Sequence, residues 1–202
     1  QWTLLAGPQA LKRPEEEYLC SFPVPAQGFV QPYADTPLDS YNVAESAYLH
    51  LVQRSNRYVY ITTPYLILGN EFVTSLKTAA ESGVDVRIIT PSHPDKWYVH
   101  MVSRSYYQTL IQSGVKIYEY QPGFIHAKMF LCDDQLAVVG TANLDYRSLY
   151  LHFENAVLLY PSPVIADIRK DFADTLEKSR LITLEELRSK LRGTKLLCAL
   201  LK

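Results

Sequence analysis

Two periods of apolar and polar positions alternate along most of this chain, and each switch between them predicts an element. Val43, Ala47 and Leu51 recur at helical spacing, with His50 beside Leu51, and Asp39 or Ser40 stands ahead of them as a plausible N-cap. RYVYITT (57–63) is rich in β-branched and aromatic residues and predicts a strand, and a shorter strand is expected near Gly28–Tyr33. Asn70 is read as the cap of a second helix ending near Gly83. VDVRIIT (84–90) follows as a strand, 95–112 as a third helix and VKIYEY (115–120) as another strand. The rhythm then changes. FIHAKMFLC (124–132), LAVVG (136–140) and FENAVLLY (153–160) are apolar runs separated by loops with no room for long helices, and two further helices are expected from Pro163 to Lys178 and from Thr183 onward.

Helices alternating with strands predict an α/β domain in which crossover helices cover a mixed sheet. The three later runs should pair antiparallel beside the earlier strands. Pro8, Pro14, Pro23 and Pro25 keep residues 1–28 from forming a long regular element, so this stretch reads as a connector ahead of a domain over 29–180. No internal repeat is visible.

At 202 residues and 48% hydrophobic the chain can bury a full core. Its net charge is −1, and between Gly123 and Asn155 two basic residues face four acidic ones, the wrong balance for a surface that tracks a nucleic-acid backbone. Cys20, Cys132 and Cys198 are odd in number and far apart, which suggests neither a disulfide framework nor a thiolate metal site, and Cys132 reads as core. No run of 18 apolar residues is present, and the start lacks a signal-peptide pattern. Both ends look cut, so the chain reads as a piece of a longer protein.

The last segment changes the picture again. From Lys178 to Lys202 there are seven basic and two acidic residues, and Leu184, Leu187 and Leu191 recur at roughly helical spacing before the apolar Leu196–Leu201 run. Residues 181–202 are therefore expected to form a basic amphipathic tail suited to an anionic membrane surface. The competing expectation is that the leucines pack on the domain and the lysines are solvated.

The candidate chemistry lies between Phe124 and Glu154. Side chains two apart on a strand share a face, so His126 and Lys128 can point together at one anionic group. A neutral imidazole, with an ordinary pKa of about 6.5, can attack or shuttle a proton at phosphorus. An ammonium from Lys128 and an amide N–H from Asn143 can oppose the charge that builds on non-bridging oxygens, with Thr141 adding a hydroxyl. Each has a plainer alternative: a half-buried His bonded to a carbonyl, a solvated Lys, a turn Asn. Asp133 opens an Asp-Asp-Gln turn and reads as structural. Asp145 and Arg147 are candidates for a local ion pair. No metal is expected, because a Lys two residues from His126 competes with a cation and no ligand cluster surrounds it. No cofactor is called for.

The combined pattern, His126-x-Lys128-x4-Asp133, then Gly140-Thr141-x-Asn143 and a later Glu154, resembles the phospholipase D superfamily. From about Val30 to Ser179 the chain is most similar to the C-terminal halves of bacterial cardiolipin synthases. The resemblance implies a phospholipase D-like half with a mixed sheet flanked by helices, and Pro64 and Tyr65 lining its pocket. It implies that one His forms a phosphohistidine while a second, from the other half, protonates the leaving alcohol. Glu154 would hold a His tautomer, most naturally that of the opposite half, and Asp133 would support the site. It further implies phosphatidyl transfer between two phosphatidylglycerols, giving cardiolipin and glycerol. The phospholipid substrate is then met by a site completed by a missing N-terminal half or by a second copy. The parent would sit at the bacterial cell membrane with its catalytic region on the cytoplasmic side. Hydrolysis of phospholipid or nucleic-acid phosphodiesters is the alternative within the superfamily, and a non-catalytic folding or interaction module is the alternative outside it.

Overall fold

A computed structural model describes residues 27–38 and 40–190, the last three of them by their backbone alone. In chain order the elements are β1 (Phe29–Asp35), α1 (Val43–Arg54), β2 (Tyr58–Thr62), α2 (Asn70–Glu81), β3 (Asp85–Pro91), α3 (Trp97–Gln112) and β4 (Lys116–Tyr120). Then come β5 (Met129–Cys132), β6 (Leu136–Gly140), α4 (Tyr146–Leu151), β7 (Glu154–Tyr160), α5 (Val164–Glu177), β8 (Ser179–Leu181) and α6 (Leu184–Lys190).

The strands form one mixed sheet in the order β1-β7-β6-β5-β2-β3-β4-β8. β2, β3 and β4 run parallel because α2 and α3 carry the chain back between them, and every other neighbouring pair is antiparallel. Successive strand residues face opposite ways, which splits the apolar runs between two cores. Ile88 and Phe130 join Tyr48, Leu51, Phe72, Leu76, Tyr107 and Leu110 from α1, α2 and α3, whereas Ile89 and Leu131 meet Ile165 and Phe172 of α5 on the other face.

Local details depart from the expectations. Ser40 does not cap α1, and Asp39 lies outside the described residues; the N-cap position is Asn42, which makes no side-chain capping bond. The capping oxygen comes from β1 instead, since buried Asp35 accepts the Ala44 N–H at 2.8 Å. Gly69, not Asn70, is the N-cap position of α2. β8, unforeseen, pairs with β4. Ile182 and Leu187 are buried in the main core, which removes Leu187 from any membrane-facing stripe, while Leu191 and Leu196–Leu201 lie outside the described residues. No described helix is long and apolar enough to cross a membrane.

The strand registers bring several chain segments to one end of the sheet. Thr62 pairs with Met129, Met129 with Val139, Gly140 with Ala156 and Asp35 with Glu154. The loops after β2, β3, β4 and β6 therefore leave at the same end at which β5 and β7 begin.

Candidate active site

His126 and Lys128 do not lie within a regular strand, as their spacing suggested, but in an extended stretch just before β5. The ladder reaches back to Lys128, whose carbonyl accepts the Gly140 N–H at 3.1 Å. Lys128 is buried, and its Nζ stands 3.0 Å from both ring nitrogens of His126 and donates to the His126 carbonyl at 2.7 Å. Burial lowers the Lys128 pKa, against the pull of the Glu154 and Asp145 carboxylates. Partial desolvation, then the Lys128 charge, lowers the pKa of His126, and Asp95 opposes that fall. A neutral imidazole beside an ammonium is the state that chemistry at an anionic phosphorus needs.

The second strand of the site ends at Gly140, where a methyl group would lie 2.4 Å from Ala156 Cβ and 2.8 Å from the Asn155 carbonyl oxygen. Only hydrogen fits there, so β6 and β7 stay close. Beyond Gly140 the chain is pinned by Tyr48, fully buried on α1, which donates to the Ala142 carbonyl at 2.9 Å and stacks on Phe130. Thr141 donates its hydroxyl to Glu154 and accepts the Asn155 N–H at 3.0 Å. Asn143 Nδ2 donates to Ser148 Oγ at 2.8 Å, leaving the buried Oδ1 without a partner among the described residues. Because the Ser148 hydroxyl can equally donate, the free end of this amide can be its NH2, which suits an anionic oxygen.

Glu154 is buried at the start of β7, bonded to Thr141 and 3.6 Å from His152 Nδ1. No contact to His126 is among its described partners. Asp145 and Arg147, candidates for a local ion pair, have other partners: Asp145 caps α4 by accepting the Ser148 N–H at 2.9 Å, and Arg147 Nε donates to His152 Nε2 at 2.9 Å.

Asp133 faces away from this chemistry. It opens the three-residue β5–β6 loop between the paired Cys132 and Leu136, where it and Asp134 stand at positive φ (53° and 60°) and the Gln135 N–H closes the turn on the Cys132 carbonyl at 2.9 Å. Its carboxylate accepts the N–H groups of Asn56, Arg57 and Tyr58 at 2.7, 2.9 and 2.8 Å. Burial opposes its ionisation, but these three donors together hold its pKa below the usual carboxylate range. Its effect on the site is thus indirect, through the β2–β5 pairing.

Pro64 is buried and Tyr65 partly so, in the loop after β2. Thr63 Oγ1 accepts the Leu144 N–H at 3.2 Å, and the Ile67 N–H reaches the Leu144 carbonyl at 2.8 Å, so this loop is fastened to the segment that carries Asn143. Tyr65 OH donates to Asp95 Oδ2 at 2.6 Å, and its ring is 6.4 Å from Phe124, which in turn is 5.6 Å from His126. Asp95, Phe124, Ser148 and Tyr48 escaped the sequence reading. An Asp three residues ahead of Ser148, at the N-cap position of α4, is the one sequence signal that could have placed any of them.

A sheet of this order with a His–Lys pair at its loop end defines a phospholipase D-like domain. The family profile described as "Cardiolipin synthase, PLD-like domain" matches residues 48–176. A Streptococcus mutans protein is 49% identical over 88% of this chain and 38% of its own length. The Geobacillus kaustophilus cardiolipin synthase is 38% identical over 81% of this chain and 33% of its own length. The chain thus spans about a third of the length of these relatives. Among solved structures the fold is similar to that of Nuc, a phospholipase D family member from Salmonella typhimurium. The TM-score is 0.65 at 17% identity, over 77% of this chain and 99% of that one. The chain belongs to the cardiolipin synthase PLD-like domain family.

Proposed function

We propose that this chain supplies one catalytic half of an enzyme that transfers a phosphatidyl group between two phosphatidylglycerols, giving cardiolipin and glycerol. The observation that carries this reading is the Lys128 ammonium held 3.0 Å from both ring nitrogens of His126 in a chain of this family. In the forward sense, a ring nitrogen of neutral His126 attacks phosphorus. The N–P bond forms as the P–O bond to glycerol breaks, and the departing oxygen takes a proton from a second His. The hydroxyl of the acceptor lipid then gives its proton to that second His as it displaces His126. His126 can equally fill the second role if the other half attacks. Lys128 and the free end of Asn143 oppose the charge on the non-bridging oxygens. Glu154, already oriented by Thr141, is available to fix the ring of the second His.

The second His comes from a missing half or from a second copy of the chain. The parent works at a membrane, where its substrate resides. Incubating the complete parent with phosphatidylglycerol vesicles tests this: cardiolipin and free glycerol are expected. Release of phosphatidic acid alone makes the protein a lipid hydrolase. DNA cleavage without cardiolipin makes it a nuclease, against which the acidic balance around the site already weighs. For the present chain, activity should track a dimer in sedimentation, and turnover by a strict monomer would refute the half-site argument.

A further inference from the structure

Beside the His–Lys pair the site has a second polar feature, of opposite hydrogen-bonding character. Lys128 Nζ brings donors and a positive charge. The Tyr65–Asp95 pair brings the reverse. The Tyr65 proton is committed to Asp95 Oδ2 at 2.6 Å, which leaves the phenol oxygen and the other carboxylate oxygen free to accept, with no spare proton to give. Burial first, then that hydrogen bond and the charge of Asp95, push the phenol pKa up to about 12, so the proton stays in place at neutral pH. The two features are joined by Phe124, whose ring is 6.4 Å from that of Tyr65 and 5.6 Å from that of His126, and which is 37% exposed.

Resting on the phosphodiester chemistry above, we propose that Tyr65 and Asp95 form the subsite for a vicinal diol, the glycerol group esterified to the phosphorus that His126 and Lys128 hold. A phosphate cannot take this place, since it offers acceptors and negative charge to a carboxylate. A glycerol group offers what is missing: two adjacent hydroxyl donors that a carboxylate and a phenol oxygen can accept together, with a short carbon chain to lie along Phe124. An ammonium headgroup would offer donors to the same carboxylate, so an aminoethyl diester is the competitor against which the diol is tested. Asp95 and Tyr65 are thus specificity residues that orient the alcohol side of the substrate and leave phosphorus to the His–Lys pair.

The test uses the full chain and three soluble probes, methyl 2,3-dihydroxypropyl phosphate, methyl propyl phosphate and methyl 2-aminoethyl phosphate, each titrated while the ring signals of His126 are followed by NMR. The dihydroxypropyl diester should bind about tenfold more tightly than the propyl one, the worth of one or two charge-assisted hydrogen bonds at an open site. Asp95→Asn and Tyr65→Phe should each shrink that ratio towards one, and Asp95→Asn, which removes a negative charge from beside the site, should at the same time tighten the binding of both anionic diesters. Equal binding of the dihydroxypropyl and propyl diesters, tighter binding of the aminoethyl diester, or an equal loss for all probes in the variants overturns the diol subsite while the phosphodiester site stands. Failure of all three to perturb His126 overturns the phosphodiester reading itself, and the subsite with it.

Discussion

Lys128 Nζ is clamped against His126, 3.0 Å from each ring nitrogen and 2.7 Å from the carbonyl oxygen of the same residue. A charge this close acts on the protonation of the ring, and it does so on top of partial desolvation, the larger cause of the lowered His126 pKa. Lys128→Met should therefore raise the His126 pKa without carrying it far beyond about 6.5, because desolvation remains. The sign for stability follows. Folded His126 binds its proton less readily than the unfolded chain does, so it contributes nothing above about pH 6.5 and disfavours folding as pH falls from there through the lowered value. An NMR titration of the His126 ring checks this; the same pKa in both proteins would show that the ammonium does not act on the ring.

Asp133 is a stability residue at a distance from the chemistry. Three consecutive N–H groups, those of Asn56, Arg57 and Tyr58, depend on one buried carboxylate. Asp133→Ala leaves those donors facing a void and should cost about 2–3 kcal/mol in chemical denaturation. Because the folded pKa is depressed, the stabilisation is complete above the unfolded value of about 3.9 and is lost as pH falls through the folded one. A variant whose stability matches that of the parent chain at pH 7 would refute this account.

Much of this arrangement could be read from the chain, and the misses have physical causes. Alternation in VDVRIIT and the apolar runs after Tyr120 identified strands because two-faced burial demands those residues, as Ile88 and Ile89 show by entering different cores. Helix starts were misplaced because capping is satisfied across space: the oxygen that serves α1 belongs to Asp35 on β1. The spacing of His126 and Lys128 foretold their meeting but not the reason, which is a lysine folded back over its neighbour and not two side chains side by side on a strand. Glu154 was found by its place in the motif. Its partners, Thr141 and His152, and the joining of Tyr65 to Asp95 arise from loop packing that no local pattern encodes.

Gly140 sets the distance between β6 and β7. A methyl group there would stand 2.4 Å from Ala156 Cβ and 2.8 Å from the Asn155 carbonyl oxygen, so Gly140→Ala must push apart the strands that carry Thr141 and Glu154. Overpacking of this kind costs about 1–3 kcal/mol. Adding Ala156→Gly removes the methyl on the other side but not the carbonyl clash, so it should restore part of the loss. Thermal denaturation of the two single variants and the double variant measures this as a coupling energy. Strict additivity would mean that the strands are not in the contact described.

The final prediction concerns the basic tail. Leu187 is buried in the core, so a truncation at residue 183 would damage the fold and confuse the reading. Ending the chain after Lys190 avoids this while removing Arg192, Lys195 and Lys202 together with the apolar Leu196–Leu201 run. Near an anionic surface each basic residue contributes about 1 kcal/mol at most, so the full chain should partition onto vesicles rich in anionic lipid at least about tenfold more strongly than the shortened one at low salt. The advantage should narrow at physiological salt, where a Debye length of about 8 Å screens the headgroups. It should also narrow on neutral vesicles, which retain only the contribution of the apolar run. Equal sedimentation of the two chains with anionic vesicles at both salt concentrations would eliminate residues 191–202 as a membrane contact, leaving delivery of the lipid to other parts of the parent.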